Sequence, residues 1–124
     1  MSSILLALLL ASAPDDCANP MAQQEMNRCA ARGFEQADAE LNAQWRLTLA
    51  AVRAGDGDPI EGDTRPSGEA RLREAQRAWV SFRDAHCAVH GYQARGGSLE
   101  PLLLDGCRAA LTRERTRQLK ELTE

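Results

Sequence analysis

The chain has 124 residues, a formal net charge of −3 and four cysteines, and aromatic side chains make up only 4% of it. This length allows one domain, since domains usually take roughly 100–200 residues, and it excludes a large enzyme or a membrane channel. The charge argues against a nucleic-acid-binding protein, which normally carries a strong basic excess. Because Ala and Leu dominate and β-branched and aromatic residues are scarce, the composition favours helices over strands.

The first thirteen residues predict a secretory signal peptide. Residues 4–11 form an apolar run that is far shorter than the ~20 residues of a membrane-spanning helix. Ala11-Ser12-Ala13 follows it as a small-x-small cleavage pattern. The alternative is a buried N-terminal helix. We therefore expect a periplasmic or secreted bacterial protein whose domain spans residues 14–124, with no membrane insertion after the signal is cleaved.

The next segment predicts a long helix followed by a loop. Asn19 and Pro20 suit the cap and the first position of this helix, which runs to Ala54. Residues 55–68 combine glycine, proline and acidic residues, as is typical of a loop. Ser67 then caps a second helix.

A glycine-rich connection over residues 91–98 separates the second helix from a third. Ser98 caps this helix, and Pro101 is tolerated in its first turn. Apolar spacing predicts the inner faces, which are Phe34, Ala37, Leu41, Trp45, Leu49 and Val52 on the first helix, Leu72, Ala75, Trp79, Phe82 and His86 on the second, and Leu103, Cys107, Leu111, Arg115, Leu119 and Leu122 on the third. We expect an all-α fold, a three-helix antiparallel array with a long first helix.

The four cysteines predict two disulfides. Export places them in an oxidising compartment, and their spacings do not fit the close pairs of a zinc site. At ~1.5 Å of rise per residue, Cys29 and Cys107 lie at one height, and Cys87 lies close to Cys17. A bridge needs Cα atoms within roughly 7 Å, so we predict Cys17–Cys87 and Cys29–Cys107. Pairing Cys29 with Cys87 and Cys17 with Cys107 requires larger offsets.

No arrangement of residues predicts catalysis, so we expect no enzyme and no cofactor. His86 and His90 are four residues apart, and one helical face could present both to a metal ion. One packed and one exposed histidine near a helix C-terminus explains the pair more simply. We therefore predict no metal site.

Acidic residues crowd the first loop at Asp56, Asp58, Glu61 and Asp63. A calcium loop does not fit, because Ile60 and Glu61 stand where a ligand and the invariant glycine belong. Two interpretations remain, an anionic finger that binds a basic partner and a solvated, mobile connection.

Polar residues beside large aromatics predict a structural polar core. Asp38 and Asn42 lie one turn apart on the first helix, and Gln76 and Arg83 lie around Trp79 on the second. Buried polar groups must be paired, so we predict an Asp38–Arg83 ion pair between these helices.

The same residues carry a family resemblance. The segments are Glu25-Met26-Asn27-x-Cys29, Asp38-x-x-Leu41-Asn42-x-x-Trp45, Gln76-Arg77-Ala78-Trp79-x-x-Phe82-Arg83-Asp84-x-x-Cys87, Gly96-Gly97-Ser98, Cys107 and Leu111-Thr112-x-x-Arg115-x-x-x-Leu119. In order and spacing they resemble the lysozyme inhibitor LprI-like family of small exported envelope proteins, over nearly all of the mature chain. Trp45 departs from the pattern, since the family more often has Tyr there. The resemblance implies a disulfide-stabilised helical domain and inhibition of lysozyme-type muramidases.

These observations predict an exported binding protein that inhibits a lysozyme or another peptidoglycan hydrolase, and an immunity protein against a rival's hydrolase is a variant of this. The four loop acids are the predicted contact residues, because an acidic protein gains association rate toward a basic lysozyme by electrostatic steering. The alternative is a structural or adaptor module of the cell envelope without a hydrolase target.

Overall fold

The computed structural model describes residues 16–124, so the predicted signal peptide at residues 1–13 lies outside the described residues. The described chain forms three helices, α1 (Gln23–Asp56), α2 (Gly68–Gly91) and α3 (Glu100–Glu121), with a short 3-10 turn at Tyr92–Ala94. No strand occurs within residues 16–124. The prediction of an all-α fold with three helices and a long first helix is confirmed.

The hydrophobic core lies where the three helices meet, toward the loop that joins α1 to α2. Leu41, Leu72 and Leu119 are buried at its centre, and the partly buried side chains around them are Trp45, Leu49, Val52 and Trp79. Thr48 is also fully buried, and its hydroxyl donates to the carbonyl oxygen of Leu119 at 2.8 Å. The same carbonyl accepts from the Leu122 N–H at 3.2 Å in the last turn of α3, so the Thr48 hydroxyl is a second donor that joins α1 to the end of α3. The predicted inner face of α1 is confirmed at its centre.

The predicted inner face of α2 is wrong at Ala75, which is exposed, and over its second half. Phe82 is 57% exposed and His86 is exposed, whereas Arg83 and Cys87 are buried. Cys87 must face α3 to form its disulfide, and Arg83 lies one turn earlier on the same side of the helix. The same kind of error occurs at the end of α3, where Leu122 is 56% exposed.

The helix ends agree with the predicted caps in one case of three. The Ser67 hydroxyl accepts a hydrogen bond from the α2 backbone, as predicted. α1 begins at Gln23 rather than after Asn19, and no side chain caps it. Ser98 does not cap α3 either, since Leu99 is at the N-cap position and no side chain caps this helix. The Ser98 carbonyl accepts from the Asn27 side chain at 2.8 Å, which connects the α2–α3 segment to α1.

Both predicted disulfide pairings are wrong. Cys17 pairs with Cys29, and Cys87 pairs with Cys107, with Cα atoms 5.4 and 5.5 Å apart. A helix starting at the predicted place would carry Cys29 about 14 Å up its axis, out of reach of Cys17. Because α1 starts only at Gln23, the non-helical residues before it fold back to Cys29. The prediction compared only the heights of the cysteines along the bundle, and height does not determine the direction of a side chain. Cys87 faces α3, where it bonds to Cys107.

Candidate functional site

The loop between α1 and α2 is closed by Asp56, the last residue of α1. Its two carboxylate oxygens accept hydrogen bonds from the backbone N–H groups of Gly68 at 2.6 Å and Glu69 at 3.1 Å. These are the first residues of α2, where backbone donors have no partner within the helix and where negative charge is favourable. Asp56 therefore joins the end of one helix to the start of the next.

A second contact across the same helix ends is the ion pair between Arg53 and Glu69. The hydrogen bond from Arg53 lowers the pKa of the Glu69 carboxyl and raises the pKa of the Arg53 guanidinium. Arg73 adds a weaker contact to Glu69 at 3.7 Å. Charged side chains at the end of α1, Asp56 and Arg53, thus hold the two ends of the loop together through contacts with the start of α2.

The middle of the loop is shaped by a tight turn over residues 60–63. The Asp63 N–H donates to the Ile60 carbonyl at 3.1 Å, and Gly62 has the positive φ of 82° that a type II turn requires at its third residue. The Asp63 carboxylate accepts from the Arg65 guanidinium at 2.9 and 2.8 Å, and these hydrogen bonds lower the pKa of Asp63. These hydrogen bonds define the shape of the turn, and the interpretation of the loop as a mobile connection stays a prediction.

The four predicted contact acids therefore divide into two pairs. Asp56 and Asp63 are engaged by the chain itself. Asp58 and Glu61 are exposed, and within residues 16–124 no hydrogen bond or ion pair engages their carboxylates. Between them in sequence, Ile60 is 71% exposed. We refer to residues 58–61 as the loop tip, an exposed segment with two available carboxylates around one apolar side chain.

Of the residues predicted to form a polar core, Arg83 is buried, whereas Asn42 is exposed. The Arg83 guanidinium lies 5.2 Å from the Phe34 ring and 5.0 Å from the Trp79 ring, and its Nε donates to Asp84 at 3.0 Å. The predicted Asp38–Arg83 ion pair is wrong, since Arg83 pairs with Asp84. Asp38 instead accepts a 3.4 Å hydrogen bond from Asn42, one turn away. Asp84 rather than Asp38 pairs with Arg83 because it is the next residue in sequence and its carboxylate lies beside the guanidinium.

A second arginine, Arg108 on α3, lies in this cluster and was not predicted from the sequence. The Arg108 guanidinium lies 5.6 Å from the ring of Phe34, which Arg83 also contacts, and the Arg108 Nε lies 3.5 Å from the Asp84 carboxylate. Asp105, one turn earlier on α3, adds an ion pair at 3.8 Å. The spacing of three residues between Asp105 and Arg108 favours an ion pair on one face of a helix. The apolar pattern used to predict the inner faces does not include such charged pairs.

Gln76, the remaining predicted polar residue, connects α2 to α3. Its side-chain oxygen accepts from Arg115 at 2.9 Å, and partial burial lowers the pKa of Arg115. His86 and His90 are both exposed, and His86 stacks on Phe82 with ring centroids 5.3 Å apart. Among the described residues, no group of three or more potential metal ligands is found.

The family model described as "Lysozyme inhibitor LprI" matches residues 15–119. The chain belongs to the LprI family of lysozyme inhibitors. It is 46% identical over 110 residues to an uncharacterized protein of Rhizobium meliloti (strain 1021). These residues make up 88% of this chain and 79% of the relative. No solved structure matches the chain.

The most specific segment of the LprI resemblance turns out to hold the helices together. Gln76 bonds to α3, Trp79 and Arg83 stack, Asp84 is shared by Arg83 and an arginine of α3, and Cys87 forms a disulfide to α3. These residues of the motif therefore stabilise the packing of the helices, whereas Phe82 of the same motif is exposed. No helix in residues 16–124 is long and apolar enough to cross a membrane.

Proposed function

We propose that this protein inhibits a lysozyme-type peptidoglycan hydrolase by binding it through the loop tip, residues 58–61. Membership of the LprI family carries the proposal, since the family model spans most of the chain. Two disulfides are typical of proteins in an oxidising compartment, where such a hydrolase acts. Export by the signal peptide at residues 1–13 is part of the proposal, as is the variant in which the target is a rival's hydrolase.

The loop tip suits a basic partner for two physical reasons. Asp58 and Glu61 are free to pair with lysines or arginines, whereas Asp56 and Asp63 would first have to give up contacts within the chain. Exposed carboxylates also attract a positively charged partner over a distance of about 10 Å at moderate salt. We therefore assign the contact to Asp58 and Glu61, with Asp56 and Asp63 holding the loop in shape.

Ile60 gives the loop tip an apolar contact between the two charges. An exposed aliphatic side chain gains roughly 1.5–3 kcal/mol when a partner buries it fully. The turn that presents it is already formed in the free protein, so binding does not have to order it, and less conformational entropy is lost. Charge and an apolar anchor on one ordered turn support a protein partner rather than a free ion.

The deciding experiment is a turbidity assay, in which lysis of a cell-wall suspension by a basic lysozyme is followed with and without the purified mature protein. We expect the double variant Asp58→Asn/Glu61→Gln to require about tenfold more protein for half inhibition, because two interfacial ion pairs are lost. The control Glu40→Gln/Glu114→Gln removes the same charge from exposed positions on α1 and α3 and should inhibit like the wild type.

Two results would contradict the proposal at different levels. Unchanged inhibition by Asp58→Asn/Glu61→Gln would place the contact elsewhere on the molecule. No inhibition by the wild-type protein at a large molar excess would reject the activity for that lysozyme.

One observation favours the second candidate, an adaptor module of the cell envelope. Phe82 and Val89 are exposed on one side of α2, with the exposed His86 between them. Large apolar side chains on one helix face are typical of a surface that binds another protein. An adaptor without a hydrolase target leaves lysis unchanged at every concentration, so the turbidity assay separates the two candidates.

A further inference from the structure

The side of α2 that faces solvent carries a line of apolar and aromatic residues. The opposite side of this helix turns toward the rest of the molecule, and its buried residues include Leu72, Arg83 and Cys87. The solvent side of a surface helix normally carries polar and charged residues. Here six exposed residues follow its middle line instead, and they are Ala75, Ala78, Phe82, Ala85, Val89 and Tyr92. We refer to these six residues as the outer stripe.

The outer stripe has the spacing of a contact between two helices. Its successive members are 3, 4, 3, 4 and 3 residues apart, which is the heptad pattern by which one helix packs along another. Tyr92 continues the line of α2, because its backbone is still in the helical region. The three largest members, Phe82, Val89 and Tyr92, are 57, 68 and 51% exposed. This face therefore suits a second helix with the same repeat.

The order of large and small residues indicates that this helix is α2 of a second copy, running in the opposite direction. Antiparallel pairing about the middle of the outer stripe sets its first member against the last, the second against the fifth and the third against the fourth. Each pair then joins one alanine to one large side chain, and the pairs are Ala75 with Tyr92, Ala78 with Val89 and Ala85 with Phe82. Large side chains opposite small ones fill a seam evenly.

Parallel pairing of two copies of α2 does not give this fit. Each residue would then lie against its own counterpart, with Phe82 against Phe82 and Ala85 against Ala85. The large pairs would hold the helices apart, and the alanine pairs would leave gaps that cost packing contacts. The antiparallel arrangement also has the two-fold symmetry that most protein dimers have, in which the same patch of both copies forms the interface.

Charged residues at the two ends of the outer stripe favour the same orientation. At its start, one carboxylate oxygen of Glu74 accepts from Arg71 at 2.8 Å, which leaves the other oxygen available. At its end, the Arg95 guanidinium stacks on the Tyr92 ring, 4.5 Å from the ring centroid. Antiparallel pairing brings Arg95 of one copy to the end of the stripe where Glu74 of the other copy lies. Such an exposed pair contributes more to orientation than to affinity.

We propose that this protein forms a homodimer in which the outer stripes of two copies pack antiparallel. The stripe is about 25 Å long at 1.5 Å of rise per residue. One helix pair of this length buries less surface than the roughly 1,200–2,000 Å² of a stable complex. We therefore expect a reversible dimer with a Kd in the micromolar range, rather than an obligate dimer.

The dimer is independent of the inhibitory function proposed above. The loop tip at residues 58–61 precedes α2, and the outer stripe begins only at Ala75, inside that helix. Antiparallel packing of α2 places the two loop tips at opposite ends of the dimer and covers neither of them. A protein that fails to inhibit a lysozyme can still form this dimer.

Sedimentation equilibrium of the purified protein between about 5 and 500 µM tests the proposal. We expect the weight-average mass to rise from that of a monomer toward that of a dimer. Phe82→Glu should raise the Kd at least roughly tenfold, because each dimer would bury two carboxylates at the centre of its seam. The control Leu47→Glu makes the same change at a residue of α1 that is 64% exposed, and it should dimerise like the wild type. Both variants should keep the helicity of the wild type by circular dichroism.

Cross-linking of introduced cysteines tests the orientation. All four native cysteines are in disulfides, so a short bismaleimide reacts with the introduced thiols. A mixture of Ala78→Cys and Val89→Cys should give a cross-linked dimer. Neither variant should cross-link with itself, because two copies of one position lie about 16 Å apart along an antiparallel pair.

Three results would overturn the proposal. A monomer at every concentration would show that a second copy does not occupy this face. Dimerisation of Phe82→Glu with the affinity of the wild type would place the contact outside the outer stripe. Cross-linking of Ala78→Cys with itself, without a cross-link in the mixture, would show that the helices do not run antiparallel.

Discussion

Replacing Arg83 tests whether a buried cation holds the three helices together. Its side chain is only 10% exposed, and it lies between the rings of Phe34 on α1 and Trp79 on α2. Its charge is paired with Asp84, and its Nη1 donates weakly to the Thr112 hydroxyl at 3.4 Å. In Arg83→Met the chain keeps an unbranched side chain of similar length and loses the charge and the planar guanidinium.

The expected loss of stability follows from these contacts. Two cation–π contacts at a mostly desolvated site contribute about 1–2 kcal/mol each. The ion pair adds less, because the Asp84 side chain is 43% exposed and has a second partner in Arg108. Methionine avoids the cost of burying a charge, which offsets part of the loss. We expect a net destabilisation of about 2 kcal/mol, which lowers the Tm by roughly 8 °C in a domain of this size.

Thermal unfolding followed by circular dichroism at 222 nm measures this change. Arg77→Met, at an exposed arginine of the same helix, is the control and should unfold within about 2 °C of the wild type. Arg83→Lys keeps the charge without the planar stacking and should fall between the two. Asp38→Ala should be nearly neutral, because Asp38 is not the partner of Arg83. The reasoning is refuted if Arg83→Met and Arg77→Met unfold at the same temperature, or if Asp38→Ala costs as much as Arg83→Met.

Two further predictions concern the junction of α1 and α2. The folded pKa of Glu69 lies below its ordinary value of 4.5, so the stabilisation from its pair with Arg53 is present above that pH and is lost as the pH falls through the lower folded pKa. The Tm of the wild type should therefore fall more steeply than that of Glu69→Gln below pH 4.5, and parallel curves would contradict this. Gly68→Ala should destabilise by about 1 kcal/mol in urea unfolding, because the added Cβ would lie 2.8 Å from the Asp56 carboxylate that caps α2, whereas Gly106→Ala in the open middle of α3 should stabilise by about 0.5–1 kcal/mol. Equal effects at the two glycines would contradict the cap.

The sequence was sufficient for the helices because their apolar spacing is strong on α1. Ala37 and Leu41 are buried as that spacing predicts. On α2 the same method chose Phe82 over Arg83, because hydrophobicity ranks a phenylalanine above an arginine for burial. A different signal was available, since a bridged cysteine fixes one side of its helix and Cys87 lies one turn after Arg83. That side contains the arginine and excludes the phenylalanine.

The disulfide error has a similar origin at the start of α1. Asn19 and Pro20 form a favourable start for a helix, and a start there makes Cys17–Cys29 impossible. The chain instead begins its helix at Gln23, with no side-chain cap, and the bridge to Cys29 constrains the preceding residues. A local preference was overridden by a covalent link that the sequence could not assign. The same limit applies to the acidic residues of the loop. The sequence shows that there are four of them, but which carboxylates bond within the chain and which stay available depends on contacts that only the structure shows.

The residues that stabilise this fold and those proposed to bind a partner are separate sets, which leads to a prediction about both properties together. Asp58→Asn/Glu61→Gln should lose inhibition while its Tm stays within about 2 °C of the wild type, since exposed charges without partners contribute little to stability. Arg83→Met should show the opposite, a lower Tm with normal inhibition when assayed well below its unfolding transition. Measuring both variants in both assays tests the separation, and a joint loss of stability and inhibition in either variant would show that the loop tip and the α2 motif act as one unit.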